Sequence, residues 1–166
     1  MHDDLRDLKL SKKVLQKLQN KDAIRQELQS GKTGQEVLEV SNKTMKTVNT
    51  AAKRLFDHGR YFDAANAFFF LVTLNPHQVD HWIGLGSSLQ MCQDYESAID
   101  AYELAAMCDF ENPLPYFYLA KCLFAIHDRE GALMALDLAL EYAEVSDDYV
   151  EIFDQAMAAK KTLLQD

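Results

Sequence analysis

A spacing of 34 residues governs this chain. Ala64, Ala98 and Ala132 stand 34 apart, with Phe68, Tyr102 and Leu136 four residues behind them. Leu71, Ala105 and Ala139 come three residues later. Upstream, the rows Val48/Trp82/Tyr116, Ala51/Leu85/Leu119, Ala52/Gly86/Ala120 and Leu55/Leu89/Leu123 keep the same interval. Seven columns aligned in three copies are not coincidence. A period of roughly 20–50 residues marks stacked supersecondary units, each too small to bury its own apolar face.

Each copy reads as two helices. The first helices are predicted near 46–58, 80–92 and 114–126, and the second near 61–74, 95–108 and 129–142. Breaks fall at His58-Gly59-Arg60, Gln93-Asp94 and His127-Asp128. Asn75-Pro76 and Asn112-Pro113 close the first two copies, where proline suits a helix boundary or first turn. Large residues at 48, 82 and 116 fill the space between paired helices. Small ones at 52, 86 and 120, and at 64, 98 and 132, let backbones approach closely. Period and columns together resemble the tetratricopeptide repeat. That resemblance implies an all-α solenoid of three helix pairs, at 45–78, 79–112 and 113–144, whose first helices line a concave face. Residues 1–44 are read as an N-terminal helical segment. Residues 145–166 are read as a capping helix from about Tyr149 to Leu164, begun by Asp147-Asp148.

Charge is divided unevenly. Residues 1–55 hold twelve Lys/Arg against seven Asp/Glu, and residues 56–166 hold five against nineteen. The acidic part repels phosphate backbones, and the basic part has no aromatic residue before Phe56 to stack on bases, so no nucleic-acid partner is expected. No apolar run approaches the ~20 residues of a membrane helix, and direct membrane insertion is not expected. The opening MHDDLRDLKLSKK lacks the apolar core of a signal peptide.

Catalytic and metal chemistry find no footing. Gly31-Lys32-Thr33 lacks the second glycine of a phosphate loop, since Gln26 stands there. His77 and His81 are two imidazoles without a third zinc ligand. Cys92, Cys108 and Cys122 fall on three separate helices without C-x-x-C spacing and read as buried, reduced residues. No acid pair and no Ser-His-Asp set is fixed by spacing. The expectation is a non-enzyme with no cofactor and no metal.

Of the first-helix positions that such repeats turn inward, Lys46, Asn49, Asp80 and Ser87 are polar, and apolar and aromatic residues dominate the rest. Copy one offers Lys53 and Phe56. Copy two offers Ile83, Gln90 and Met91, and copy three offers Leu114, Phe117, Tyr118, Lys121 and Phe124. A groove of this composition takes an extended peptide with bulky side chains, with Lys53 and Lys121 placed for its carbonyls or acids. The alternative is that some of these aromatics pack between neighbouring pairs. A carboxylate clamp is not expected, because Leu114 and Tyr118 stand where its copy-three cations belong. In the N-terminal segment, Leu5, Leu8, Leu15, Leu18, Ile24 and Leu28 form stripes that are candidates for dimerisation or for padding the open end of the solenoid.

Several runs carry a narrower resemblance. They are FDHGRYFDAANAF from Phe56, WIGLGSSLQ from Trp82 to Gln90, and AAMCDFENPLPYF from Ala105 to Phe117, followed by Ala120-Lys121-Cys122-Leu123. Together with the N-terminal segment and closing helix, these resemble the class II chaperones of bacterial type III secretion. The resemblance implies a cytoplasmic bacterial protein, commonly a homodimer, that holds hydrophobic translocator proteins soluble before export without ATP. It carries groove roles over to Phe56, Ile83, Phe117 and Phe124, and structural roles to Tyr61 and Tyr95. The rival expectation is a generic tetratricopeptide scaffold that binds folded partners.

Overall fold

A computed structural model describes residues 12–165, without the side chains of residues 12–15. Leu5, Leu8 and the side chain of Leu15 thus lie outside what is described. All regular structure among the described residues is helical. The chain divides into two compact units at His77/Gln78.

The first unit holds α1 (Lys12–Gln19), α2 (Lys21–Gln29), α3 (Gly34–Val37), α4 (Asn42–Asp57) and α5 (Tyr61–Leu74). Asn20 caps α2 by accepting from the Ala23 N–H. Glu27 joins α2 to its neighbours, pairing with Lys17 at 2.9 Å and Lys32 at 3.0 Å, and those hydrogen bonds lower its carboxyl pKa. The Gly31–Gly34 break ends in a short helix that sequence reading missed. Thr33 and Glu36 form a capping box, and Gly34 opens α3 against the end of α5. A Cβ on Gly34 would lie 3.1 Å from the Thr73 carbonyl oxygen, a tight contact with the α5 backbone that glycine avoids. Ser41 then caps α4 through the Thr44 N–H. The pair α4/α5 buries Met45, Val48 and Ala52 with Ala64, Phe68 and Leu71. Of the Phe68-Phe69-Phe70 run, Phe68 is core and the next two are exposed.

The second unit holds α6 (Val79–Met91), α7 (Tyr95–Cys108), α8 (Pro113–Ala125), α9 (Arg129–Ala143), a 3-10 turn (Asp147–Tyr149) and α10 (Val150–Gln165). These helices pack in succession, each on the next, and α6 also touches α8. Asn112 caps α8 by accepting from the Leu114 N–H at 3.0 Å, with Pro113 in the first turn. Asp128 caps α9 through the Gly131 N–H. The terminal helix begins at Val150, after a 3-10 turn that Ser146, rather than Asp147-Asp148, caps by accepting from the Asp148 N–H. A hydroxyl one residue earlier reaches the orphan N–H, leaving both carboxylates in solvent near the positive helix end. Lys160 pairs with Asp137 and Arg129 donates to the Leu163 carbonyl, fastening α10 to α9.

The 34-residue period extends to backbone hydrogen bonds. The turns within the three pairs place Gly59, Gln93 and His127 at φ 73°, 63° and 66°. In each turn the next residue's N–H returns to the carbonyl of Leu55, Leu89 or Leu123 at 2.9–3.0 Å. This left-handed helix stop favours glycine, and only the first copy has it.

The α6/α7 pair is keyed by Tyr102, which is fully buried. A Cβ on Gly86 would fall 2.7 Å from its ring. The Tyr102 hydroxyl donates to Gln90 Oε1 at 2.9 Å and lies 3.2 Å from Ser87 Oγ. Its ring stacks on Tyr118 at 5.6 Å. In an ordinary helix, glycine to alanine stabilises by up to about 1 kcal/mol. Here the ring is held on two sides, so overpacking wins. Gly86→Ala is expected to lose about 1–3 kcal/mol in equilibrium urea unfolding. A raised midpoint would show instead that the ring yields freely.

Candidate functional site

Within the first unit, Lys53 is exposed on α4 and Phe56 is half-buried, edge-on to Tyr61 with centroids 5.2 Å apart. That contact gives Tyr61 a packing role. Among the N-terminal candidates, Leu18 and Leu28 are exposed on α1 and α2, while Ile24 is half-buried. On α5, Phe62 and Phe69 stand 72% and 62% exposed, an outward apolar pair seven residues apart on one helix face.

Within the second unit, α6 and α8 supply the remaining candidates. Phe124 is 55% exposed and Met91 49%. Ile83, Gln90, Leu114 and Tyr118 are half-buried. Ile83 packs against the cluster of Ala98, Tyr102 and Cys122, as does Tyr95. The Gln90 side chain is engaged by the Tyr102 hydroxyl.

Phe117 is a correction. It is 3% exposed and belongs to a core cluster with Leu136 of α9 and Ala156 and Leu163 of α10. The repeat register puts residue 117 on the inward face of α8, but nothing in the register says what covers it. The last pair has no following copy, and the terminal helix joins the burial of that ring. Phe117 is therefore part of the hydrophobic core, and the accessible apolar surface of these two helices centres on Phe124 and Met91.

Lys121 is exposed on α8, with its ammonium 4.2 Å from the Phe117 ring centroid and 5.3 Å from that of Tyr118. Ring faces attract a cation by their quadrupoles without accepting its hydrogen bonds. Partial withdrawal from water lowers the Lys121 pKa below the usual lysine value.

Two features escaped sequence reading. Tyr102 lies on a second helix, yet its hydroxyl reaches the polar side chains of α6. The available signal was the pairing of columns, since only copy two sets glycine (Gly86) against a polar-tipped ring. Cys92 and Cys108 are exposed rather than buried, and Cys122 alone follows the expectation. Burial of Cys122 pushes its thiol up to about 11, which keeps it protonated and unreactive. Among the described residues, no three His, Cys, Asp or Glu gather as metal ligands, and no helix is long and apolar enough to cross a membrane.

Paired helices with small-against-large columns and recurrent left-handed turns define a tetratricopeptide-like protein. The tetratricopeptide repeat family model matches residues 79–112. Low calcium response locus protein H of Yersinia pestis is 28% identical over 125 residues, covering 75% of this chain and 74% of that protein. A type III secretion complex from Aeromonas hydrophila contains a chain with TM-score 0.83 and 26% identity, covering 87% of this chain and 97% of that one. The translocator chaperone SycD of Yersinia enterocolitica, solved with a peptide of the translocator YopD, gives TM-score 0.73 and 25% identity over 76% of this chain and 97% of that one. The chain is a structural homologue of the class II translocator chaperones of type III secretion.

The burial contrast is directly measurable. Phe117→Ala is expected to lose about 3–5 kcal/mol in chemical denaturation as a buried aromatic is removed. Phe124→Ala should stay within about 0.5 kcal/mol of the native protein. Equal losses would contradict the assignment of one ring to the core and the other to the surface.

Proposed function

We propose that this chain is an ATP-independent export chaperone of the bacterial cytoplasm. It binds an extended segment of hydrophobic type III secretion translocators and keeps them soluble before secretion. The observation that carries this reading is the apolar surface left on α6 and α8, where Phe124 and Met91 are about half exposed and Ile83, Leu114 and Tyr118 half-buried. A large apolar side chain on a first helix has no packing role when exposed, but it seats a bulky cargo side chain. Likeness to SycD, whose structure with a YopD peptide is known, supports the choice of cargo. In the first unit, Lys53 and Phe56 hold the corresponding first-helix positions on α4, exposed and half-buried respectively.

Binding works by mass action. Translocators expose apolar surface when free, and covering an anchoring stretch lowers the free, aggregating form. A net charge of −9 keeps chaperone and complex apart from their copies. Chemistry on the cargo is not required, so no catalytic group is needed.

Co-expression with a translocator of the YopD kind tests the reading. The native chain should move the translocator from the pellet to a soluble 1:1 or 2:1 complex. Met91→Asp with Phe124→Asp should abolish that rescue while leaving helicity and melting temperature unchanged. Full rescue by the folded double variant would overturn the proposed surface.

Homodimerisation through the N-terminal helices is part of the same proposal. Leu18 and Leu28 are its exposed apolar candidates. Leu18→Asp with Leu28→Asp should lower the mass seen by light scattering at several concentrations, with little change in melting temperature. An unchanged mass would place any dimer contact elsewhere.

A further inference from the structure

Residues 78–166 carry four Lys/Arg against seventeen Asp/Glu. Two of the four cations have internal partners, since Arg129 donates to the Leu163 carbonyl and Lys160 pairs with Asp137. Lys161 is exposed on α10. Lys121 is the fourth, and the only one on the first helix of a pair. Its ammonium pairs with no carboxylate among the described residues, despite the excess of acids in its unit. It rests instead over the Phe117 and Tyr118 rings, at 4.2 Å and 5.3 Å from their centroids.

That arrangement is preorganised. Phe117 is locked in the core, and Tyr118 is held by its stack on Tyr102. The two rings therefore give the ammonium a fixed seat and leave its N–H donors for a partner outside the chain. Phe124 lies three residues further along α8, on the same side, at 55% exposure. Three helical residues rise about 4.5 Å, between one and two residues of an extended strand at about 3.3 Å each. A segment that seats an apolar side chain on Phe124 thus brings a neighbouring side chain over Lys121. Between them α6 and α8 carry one acid, Asp80, and one cation, Lys121, so on these first helices a carboxylate finds its counter-charge at Lys121.

We infer that Lys121 determines specificity by selecting a carboxylate in the bound segment, one or two residues from the apolar side chain that seats on Phe124. The inference rests on the cargo-binding reading above and adds the chemistry that the cargo must carry. Phe124 supplies the apolar anchor. Lys121 fixes its register, because sliding the segment by a residue would draw the acid off the cation.

Fluorescence polarisation with a positional series of YopD peptides tests this. Each position is replaced in turn by Asp and by Asn, and every peptide is measured against the native chain, Lys121→Met and Phe124→Ala. Met keeps the straight stem and removes the charge, and circular dichroism confirms that each variant is folded. With the native chain, one position should bind as Asp about fivefold more tightly than as Asn, the scale of a partly exposed ion pair. That preference should vanish in Lys121→Met. Phe124→Ala should weaken all peptides. Equal Asp-to-Asn ratios in native and Lys121→Met proteins, with Phe124→Ala still weakening binding, would sink the role of Lys121 and leave the groove standing. Uniform weakening of Asp and Asn peptides by Lys121→Met would also overturn it, pointing to a carbonyl contact. Failure of every peptide to bind the native chain would overturn this inference and the cargo-binding reading together.

Discussion

The packing of a large second-helix side chain into the space vacated by a small first-helix residue sets everything else in the second unit. Tyr102 is its fullest case. Gly86 gives up its Cβ, the ring enters, and the hydroxyl emerges beside Ser87 and Gln90. A buried phenol needs such partners, since an unsatisfied hydroxyl costs more than the ring's extra atom gains. The far face of the same ring meets Tyr118. One side chain thus couples three helices, α6, α7 and α8, and decides which groups on the first helices are free to meet a ligand. Copy three repeats the arrangement with Ala120 and Leu136, a smaller filling that carries no polar tip.

The surface that results combines opposing properties. Seventeen acids keep the second unit well solvated, while Phe124 and Met91 stay uncovered on its first helices. Outward faces of the second helices also carry apolar residues, with Met107 and Met134 79% and 64% exposed among acidic neighbours. Flexible methionine on an acidic background adapts to varied apolar partners without inviting self-association.

Helix boundaries were legible because the period is redundant. Column and break mark the ends together, and α5 (Tyr61–Leu74) and α7 (Tyr95–Cys108) fall where the spacing puts them. What the period does not encode was harder. Residues 34–37 fold as a helix because Thr33 and Glu36 cap each other, a local signal that straddles Gly34. The role of Phe117 depended on α10, which lies outside the repeat and carries no column to place it. Cys92 and Cys108 sit at and near helix ends, where a small apolar residue need not be buried. For the site, residue type was readable at every position, while accessibility was not. The register tells which way a side chain points, and the neighbours decide whether anything can reach it.

The last helix has a consequence for how this chain tolerates shortening. Ala156 and Leu163 share a cluster with Phe117 and Leu136, and Arg129 binds the backbone one turn from the described end. A premature stop in this stretch would therefore uncover the Phe117/Leu136 cluster to water and loosen the α8 ring on which Lys121 rests. Damage at the tail would surface on α8, about forty residues upstream of where the reading frame broke.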